Sequence, residues 1–261
     1  MLGFSLNPRW TDWTGKRVWL VGASSGIGAE VARAMLARGA IVAVSARRAD
    51  ALAGVVDGHP QGIVVPMDAR VPADWVAAHD ALRHSGHDID MLVFCAAEYR
   101  PLRPWEIDAD EARRTIETNL TSAYYGLTVV LPPMMSRRAG SVVLLASVAG
   151  YLGLPKATIY GPTKAALINL AELLYAELHP NGIGVYLVNP GFVKTRLTAR
   201  NDFPMPAMQT AEAAAASILS GLAQGRFEIA FPSRFTRALR LLSMLPYGLR
   251  LTLLQRLMKT S

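Results

Sequence analysis

The chain has 261 residues, 51% of them hydrophobic and 18% charged, with a net charge of +7. That length and apolar content suit one α/β domain with an ample core, and a single cysteine, Cys95, excludes an internal disulfide and fits a reducing compartment. Met1 to Trp13 lacks the basic start and apolar run of a signal peptide, and no run of about 18 uninterrupted apolar residues offers a membrane span, so a cytoplasmic location is expected.

The first element is a short buried strand, expected over 17–22, ending Val18-Trp19-Leu20-Val21. It runs into Gly22-Ala23-Ser24-Ser25-Gly26-Ile27-Gly28 and then into a helix over 26–38. Strand, glycine-rich turn and helix in that order make a phosphate cradle. Glycines let the backbone approach a pyrophosphate, and the helix N-terminus offers free N–H groups and a partial positive charge. The second strand, over 40–45, leads to Ala46-Arg47-Arg48, about 20 residues past the glycines. An enzyme for NAD(H) usually carries a carboxylate there to accept the ribose 2′-hydroxyl. Arginine would instead bind a 2′-phosphate through charge-assisted hydrogen bonds, so NADP(H) is favoured over NAD(H). The competing reading, that Arg47 and Arg48 merely open a surface helix over 48–56, places cations at the wrong end of the helix dipole.

Further along, strands are expected over 62–66, 89–95, 140–146, 183–188 and 227–231, and helices over 72–84, 108–136, 158–179 and 210–224. This alternation predicts a doubly wound, seven-stranded parallel sheet with helices on both faces. Ligands bind beyond the carboxyl ends of such strands. Gly22, Ala46, Asp68, Cys95, Ser147 and Pro190 fall at or near those ends, so the motifs point to one crevice. Asp68 reads equally as an ordinary turn aspartate.

Tyr160 and Lys164 stand four residues apart in a helical stretch, which puts both on one face. A phenol titrates near ~10, and bringing it to about pH 7 takes roughly 4 kcal/mol of differential stabilisation. A neighbouring ammonium lowers a phenol's pKa. A tyrosine so tuned can exchange a proton with a carbonyl or alcohol oxygen. Ser147, at the end of the apolar run Val142-Val143-Leu144-Leu145-Ala146, could hydrogen-bond the same oxygen.

Together these segments resemble the short-chain dehydrogenase/reductase family over roughly residues 14–230. The glycine segment matches the family's Thr-Gly-x-x-x-Gly-x-Gly, with Val21 in place of the threonine. The family's catalytic set maps onto Asn119, Ser147, Tyr160 and Lys164, and its Pro-Gly segment onto Pro190-Gly191-Phe192-Val193-Lys194-Thr195. One motif departs: Phe94-Cys95-Ala96-Ala97 stands where Asn-Asn-Ala-Gly is usual, and apolar packing is expected to replace the lost polar contacts.

The resemblance implies an oxidoreductase moving hydride between a nicotinamide and a carbonyl or alcohol, with Tyr160 as acid/base. Lys164 would also hold the nicotinamide ribose, and Asn119 would bend a helix and hold a proton-relay water. Asp68 would meet the adenine, and Val193 and Thr195 the carboxamide. Ser24, Ser25 and Ile27 belong to the cofactor turn. A homodimer or homotetramer is implied, built on the helices bearing Asn119 and Tyr160. The alternative is a dinucleotide-binding sensor or scaffold without turnover, because a fold alone never proves activity.

Two stretches remain. Residues 192–209 carry Phe192, Leu197, Phe203, Met205 and Met208 among Pro204 and Pro206, which fits either a lipophilic substrate pocket or a loop packed on the protein. Residues 232–261 read as an appendage to a domain over 1–231. From Arg226 to Ser261 the chain has seven basic residues against one acid, Glu228. Phe235, Ala238, Leu239, Leu242 and Leu245 form one apolar stripe, and Leu249, Leu253 and Leu257 another. Two such basic amphipathic helices could lie on the inner face of an anionic membrane; packing over the pocket or a dimer contact is the commoner use. No nucleic-acid module accompanies the charge. The histidines show no metal spacing; His84 and His87 read as a solvated loop.

Overall fold

The computed structural model describes residues 5–84, 86 and 88–259. Seven parallel strands run β1 (Arg17–Val21), β2 (Ile41–Ser45), β3 (Gly62–Val64), β4 (Met91–Phe94), β5 (Gly140–Leu145), β6 (Ile183–Pro190) and β7 (Glu228–Phe231). Their spatial order is β3-β2-β1-β4-β5-β6-β7. The order reverses at β1, which pairs with β2 on one side and β4 on the other. Val21 lies opposite both Ser45 and Phe94, so the chain leaves all three strands side by side. A crevice opens there because the following loops diverge to opposite faces.

The strands are runs of Val, Ile and Leu because both faces are covered. Val18, Leu20, Val42 and Val44 pack on one face under α1 (Gly26–Leu36), α2 (Ala49–Val56) and α7 (Ala211–Ala223). Trp19, Leu92, Phe94 and Leu144 pack on the other under α3 (Pro72–His84), α5 (Ser122–Arg137) and α6 (Tyr160–Leu178). Trp19 is fully buried and its indole donates to Ser45 Oγ at 2.9 Å, which lets an aromatic nitrogen sit in the core.

The long helix expected over 108–136 is broken. It forms α4 (Ala109–Ile116), a π-helical turn over Glu117–Thr121, and then α5. The strand expected over 62–66 stops at Val64, although Val65 N still donates to Val44 O; Pro66 has no N–H to continue the ladder. β6 runs two residues further than expected, to Pro190.

After β7 come α8 (Ser233–Ser243) and α9 (Tyr247–Lys259). Phe235 of α8 packs on Phe192, ring centroids 5.8 Å apart, and Thr236 is buried. Leu239, Leu242 and Leu245 are half-buried, whereas Ala238 is exposed. The stripe expected on α9 is displaced. Leu254 is the buried leucine, while Leu249 is 60% and Leu253 39% exposed; Leu257's side chain lies outside the described residues. No helix among the described residues is long and apolar enough to cross a membrane.

Candidate active site

The turn after β1 is tight because two backbones meet inside it. A Cβ on Gly22, whose φ is +89°, would lie 2.4 Å from Ala96 N, and one on Gly28 would lie 2.6 Å from Gly22 O. Gly26 has Thr195 against it, 3.0 Å from where a Cβ would sit. Ser25 is the N-cap of α1, yet its side chain caps nothing, and the first turn holds no acid. The helix therefore presents uncapped N–H groups and unopposed positive charge, which suits a phosphate.

This turn forms one end of a cavity of about 400 Å³. Gly22, Ser24, Ser25, Gly26, Ile27 and Gly28 line it, with Arg47, Arg48 and Asp68 beyond β2 and β3. Ser147, Tyr160 and Lys164 line it from the β5 side, and Pro190, Gly191, Val193 and Thr195 from the loop after β6. Of the catalytic and cofactor-binding residues expected from sequence, Asn119 alone stays out of the wall; it is fully buried.

Ser147 begins a short 3₁₀ turn, Val148–Gly150, and its Oγ accepts from Ala149 N at 3.1 Å. Tyr160 and Lys164 share a face of α6, with Lys164 Nζ 5.4 Å from the Tyr160 ring centroid. Nζ donates to Leu145 O at 2.7 Å, and Lys164 is only 2% exposed. The expected acidification of the phenol is not found. Burial pushes Tyr160 up to about 12, with a hydrogen bond from Ser147 only partly opposing it. Burial instead pulls Lys164 down to about 8. Desolvation penalises the charged form of each group and is the largest influence on both. Tyr160 is thus a protonated phenol at neutral pH.

Asn119 explains the broken helix. Its Oδ1 accepts from Glu98 N at 2.6 Å, and its Nδ2 donates to Glu98 O at 2.9 Å and Thr163 Oγ1 at 3.2 Å. The π turn swings this amide inward to clamp the loop after β4 and to touch α6. π turns of this kind often mark functional sites. In the same turn, Thr118 Oγ1 is buried without a hydrogen-bond partner, and Thr118 lines the cavity. That hydroxyl is itself buried, so Thr118 borders the cavity without presenting the oxygen to it. Nothing in its helical sequence context distinguished it.

Asp68 is engaged by Arg70, whose Nε and Nη2 reach its two oxygens at 3.0 and 2.6 Å. These hydrogen bonds hold the Asp68 carboxyl below its usual range. Arg70 also lines the cavity and was missed from sequence, although an Asp-x-Arg turn is a local signal for it. Arg47 is exposed, its Nη2 3.9 Å from Glu98 Oε1. Arg48 is the exposed N-cap of α2 and caps nothing with its side chain.

The departing segment packs as expected. Phe94 is fully buried, and Cys95 borders the cavity, where burial raises its thiol to about 12 and leaves it unreactive. The 192–209 loop differs from a simple apolar pocket. Phe192 sits between Phe203 and Phe235, with centroids 6.2 and 5.8 Å away, and of the five apolar residues named only Leu197 borders the cavity. Tyr99, missed from sequence, lies against Tyr160 with ring centroids 4.9 Å apart. His84 closes α3 and donates from Nδ1 to Asp80 O at 2.6 Å, rather than sitting in a loop; His87 lies outside the described residues. Among the described residues no group of three or more His, Cys, Asp or Glu could hold a metal ion.

A family model described as short chain dehydrogenase matches residues 16–203. The chain is 32% identical over 231 residues to an uncharacterized oxidoreductase of Myxococcus xanthus, covering 87% of this chain and 91% of that one. It is 36% identical over 191 residues to 11-beta-hydroxysteroid dehydrogenase A of Arachis hypogaea, covering 70% of this chain and 54% of that protein. A short-chain dehydrogenase structure from Streptomyces avermitilis superposes with a TM-score of 0.79 at 25% identity, over 94% of this chain and 99% of that one.

Proposed function

This chain belongs to the short-chain dehydrogenase/reductase family, an oxidoreductase acting on CH–OH or C=O groups with a nicotinamide cofactor, and we propose that it prefers NADP(H) and reduces a carbonyl compound with an apolar body. The observation that carries the reading is the opening of the glycine cradle and the Ser147–Tyr160–Lys164 cluster onto one cavity. The Gly22–Gly28 turn would hold the pyrophosphate, Arg47 and Arg48 the 2′-phosphate, and Lys164 the nicotinamide ribose. When bound, the reduced cofactor supplies hydride to the carbonyl carbon. Ser147 Oγ hydrogen-bonds the carbonyl oxygen, and Tyr160 Oη gives it a proton. A phenol kept protonated by burial is in the right state for that step. Lys164, mostly an ammonium at neutral pH, then stabilises the phenolate left behind. A sensor without turnover would make no use of this cluster.

The apolar body is supported by Leu197 in the cavity wall and by the sequence likeness to a hydroxysteroid dehydrogenase. NADPH absorbance followed against ketones, aldehydes and long-chain carbonyl compounds tests the reading. Tyr160→Phe is expected to lose about a hundredfold or more in kcat, the usual scale of a general acid. Arg47→Asp should raise KM for NADPH well above that for NADH. Full activity in Tyr160→Phe overturns the mechanism.

The same proposal treats 232–261 as an appendage to a domain over 1–231 and gives it a membrane role. Leu241, Met244, Tyr247 and Leu249 are 66, 76, 70 and 60% exposed and alternate with Arg237, Arg240 and Arg250. Exposed apolar side chains among cations suit the inner, anionic face of a membrane. Exposed Ile116, Tyr124 and Leu173, on α4, α5 and α6, support assembly into a homodimer or homotetramer through those helices.

A further inference from the structure

Beside the cofactor cavity lies a second cleft of about 470 Å³. Arg47, Arg100, Arg114, Arg196 and Arg200 line it, and its only carboxylates are Glu98 and Glu111. Arg100 is paired to Glu111 at 2.8 Å, and Arg200 donates to Tyr99 O at 3.1 Å. The guanidiniums of Arg114 and Arg196 have no hydrogen-bond or ion-pair partner among the described residues. Five fixed cations against two anions leave the cleft with a clear positive excess. Guanidinium forks match carboxylate and phosphate oxygens in pairs.

The cofactor does not account for this set. Arg47 and Arg196 border both cavities, but Arg100, Arg114 and Arg200 do not line the cofactor cavity. One residue links the cleft to the chemistry. Tyr99 lines the cleft, and its ring lies 4.9 Å from that of Tyr160. Its hydroxyl donates to Asn201 Oδ1 at 2.9 Å, and Arg200 holds its carbonyl, so the ring is fixed between the two sites. A ligand whose carbonyl rests on Tyr160 can therefore pass Tyr99 and place an acidic end among the arginines.

We propose that this cleft binds the anionic group of the substrate, and that the natural substrate is a carbonyl compound carrying a carboxylate or a phosphate. The inference rests on the reading of Tyr160 as the proton donor. Three matched substrates test it with NADPH: a medium-chain ketone, the same ketone ending in a carboxylate, and the same ketone ending in a phosphate. At least one anionic ketone is expected to have a KM about tenfold below the neutral one. Arg114→Gln, and separately Arg100→Gln, should raise that KM about tenfold and leave kcat and the neutral ketone's kinetics near those of the parent. The anion that responds more strongly identifies the group. Binding of the anionic ketones to Tyr160→Phe, followed by calorimetry, separates the two readings. Arginine-dependent binding without parent turnover keeps the cleft and removes the mechanism. The proposal falls if the arginine variants weaken all three ketones alike, or if they raise only the KM for NADPH, which would make the cleft part of the cofactor's phosphate site.

Discussion

Lys164 is an ammonium held almost wholly out of water. Its pKa falls from 10.5 to about 8 because burial disfavours the charge. Below pH 8 both folded and unfolded chains hold the proton, and the full penalty, on the order of 3 kcal/mol, weighs on the fold. Between about 8 and 10.5 the folded chain has released a proton that the unfolded chain keeps, so stability rises with pH across that window. Lys164→Met is therefore expected to stabilise the cofactor-free protein at pH 7 while abolishing activity. The gain is about 1–2 kcal/mol, since Leu145 O loses a hydrogen-bond partner. Urea unfolding at pH 7 and pH 9.5 checks this, and the gap between variant and parent should narrow at the higher pH. A variant less stable than the parent at pH 7 would show that the lysine is held by more than Leu145 O. Such a pattern, in which a functional group costs stability, is common at active sites.

At the scale of elements, the π turn over Glu117–Thr121 joins the loop after β4 to α6 through one side chain. Asn119 satisfies both backbone groups of Glu98 and also reaches Thr163, three residues from Tyr160. Asn119→Leu would leave that part-buried N–H and C=O without their protein partners, at up to about 1–3 kcal/mol each. We expect a Tm several degrees lower and a fall in kcat with little change in KM for NADPH, measured by calorimetry and steady-state kinetics. A Tm within one degree of the parent would show the clamp to be replaceable by water. On the other side of the site, Glu228 of β7 ties Tyr151, Asn189 and Arg240 of α8 together. The terminal helices are thereby fastened next to the turn that Ser147 begins.

Over the whole molecule, one basic, partly apolar pair of helices extends from the sheet edge at β7. If it rests on an anionic bilayer, the protein should sediment with vesicles containing phosphatidylglycerol, and salt should release it, because charge attraction screens over about 10 Å at 0.1 M. Leu241→Glu with Met244→Glu changes only exposed positions, so folding is spared. Vesicle binding should then fall at least tenfold. Binding unchanged by both substitutions and by salt would end the membrane reading.

The sequence by itself determined the order of strands and helices and the glycine cradle. These depend on local chemistry: apolar runs of strand length, glycines where backbones must touch, and residue spacing along a helix. It also carried Tyr160 and Lys164 to one face of α6. Only the tertiary structure decided their protonation, because burial is a property of everything packed around a residue, and it reversed the expected acidity of the phenol. The same holds for the π turn that aims Asn119 inward, for the hold of Arg70 on Asp68, and for the arginine cleft. Its five cations come from four separate segments of chain, and no periodicity in a linear sequence records that the sheet's crossovers bring them together.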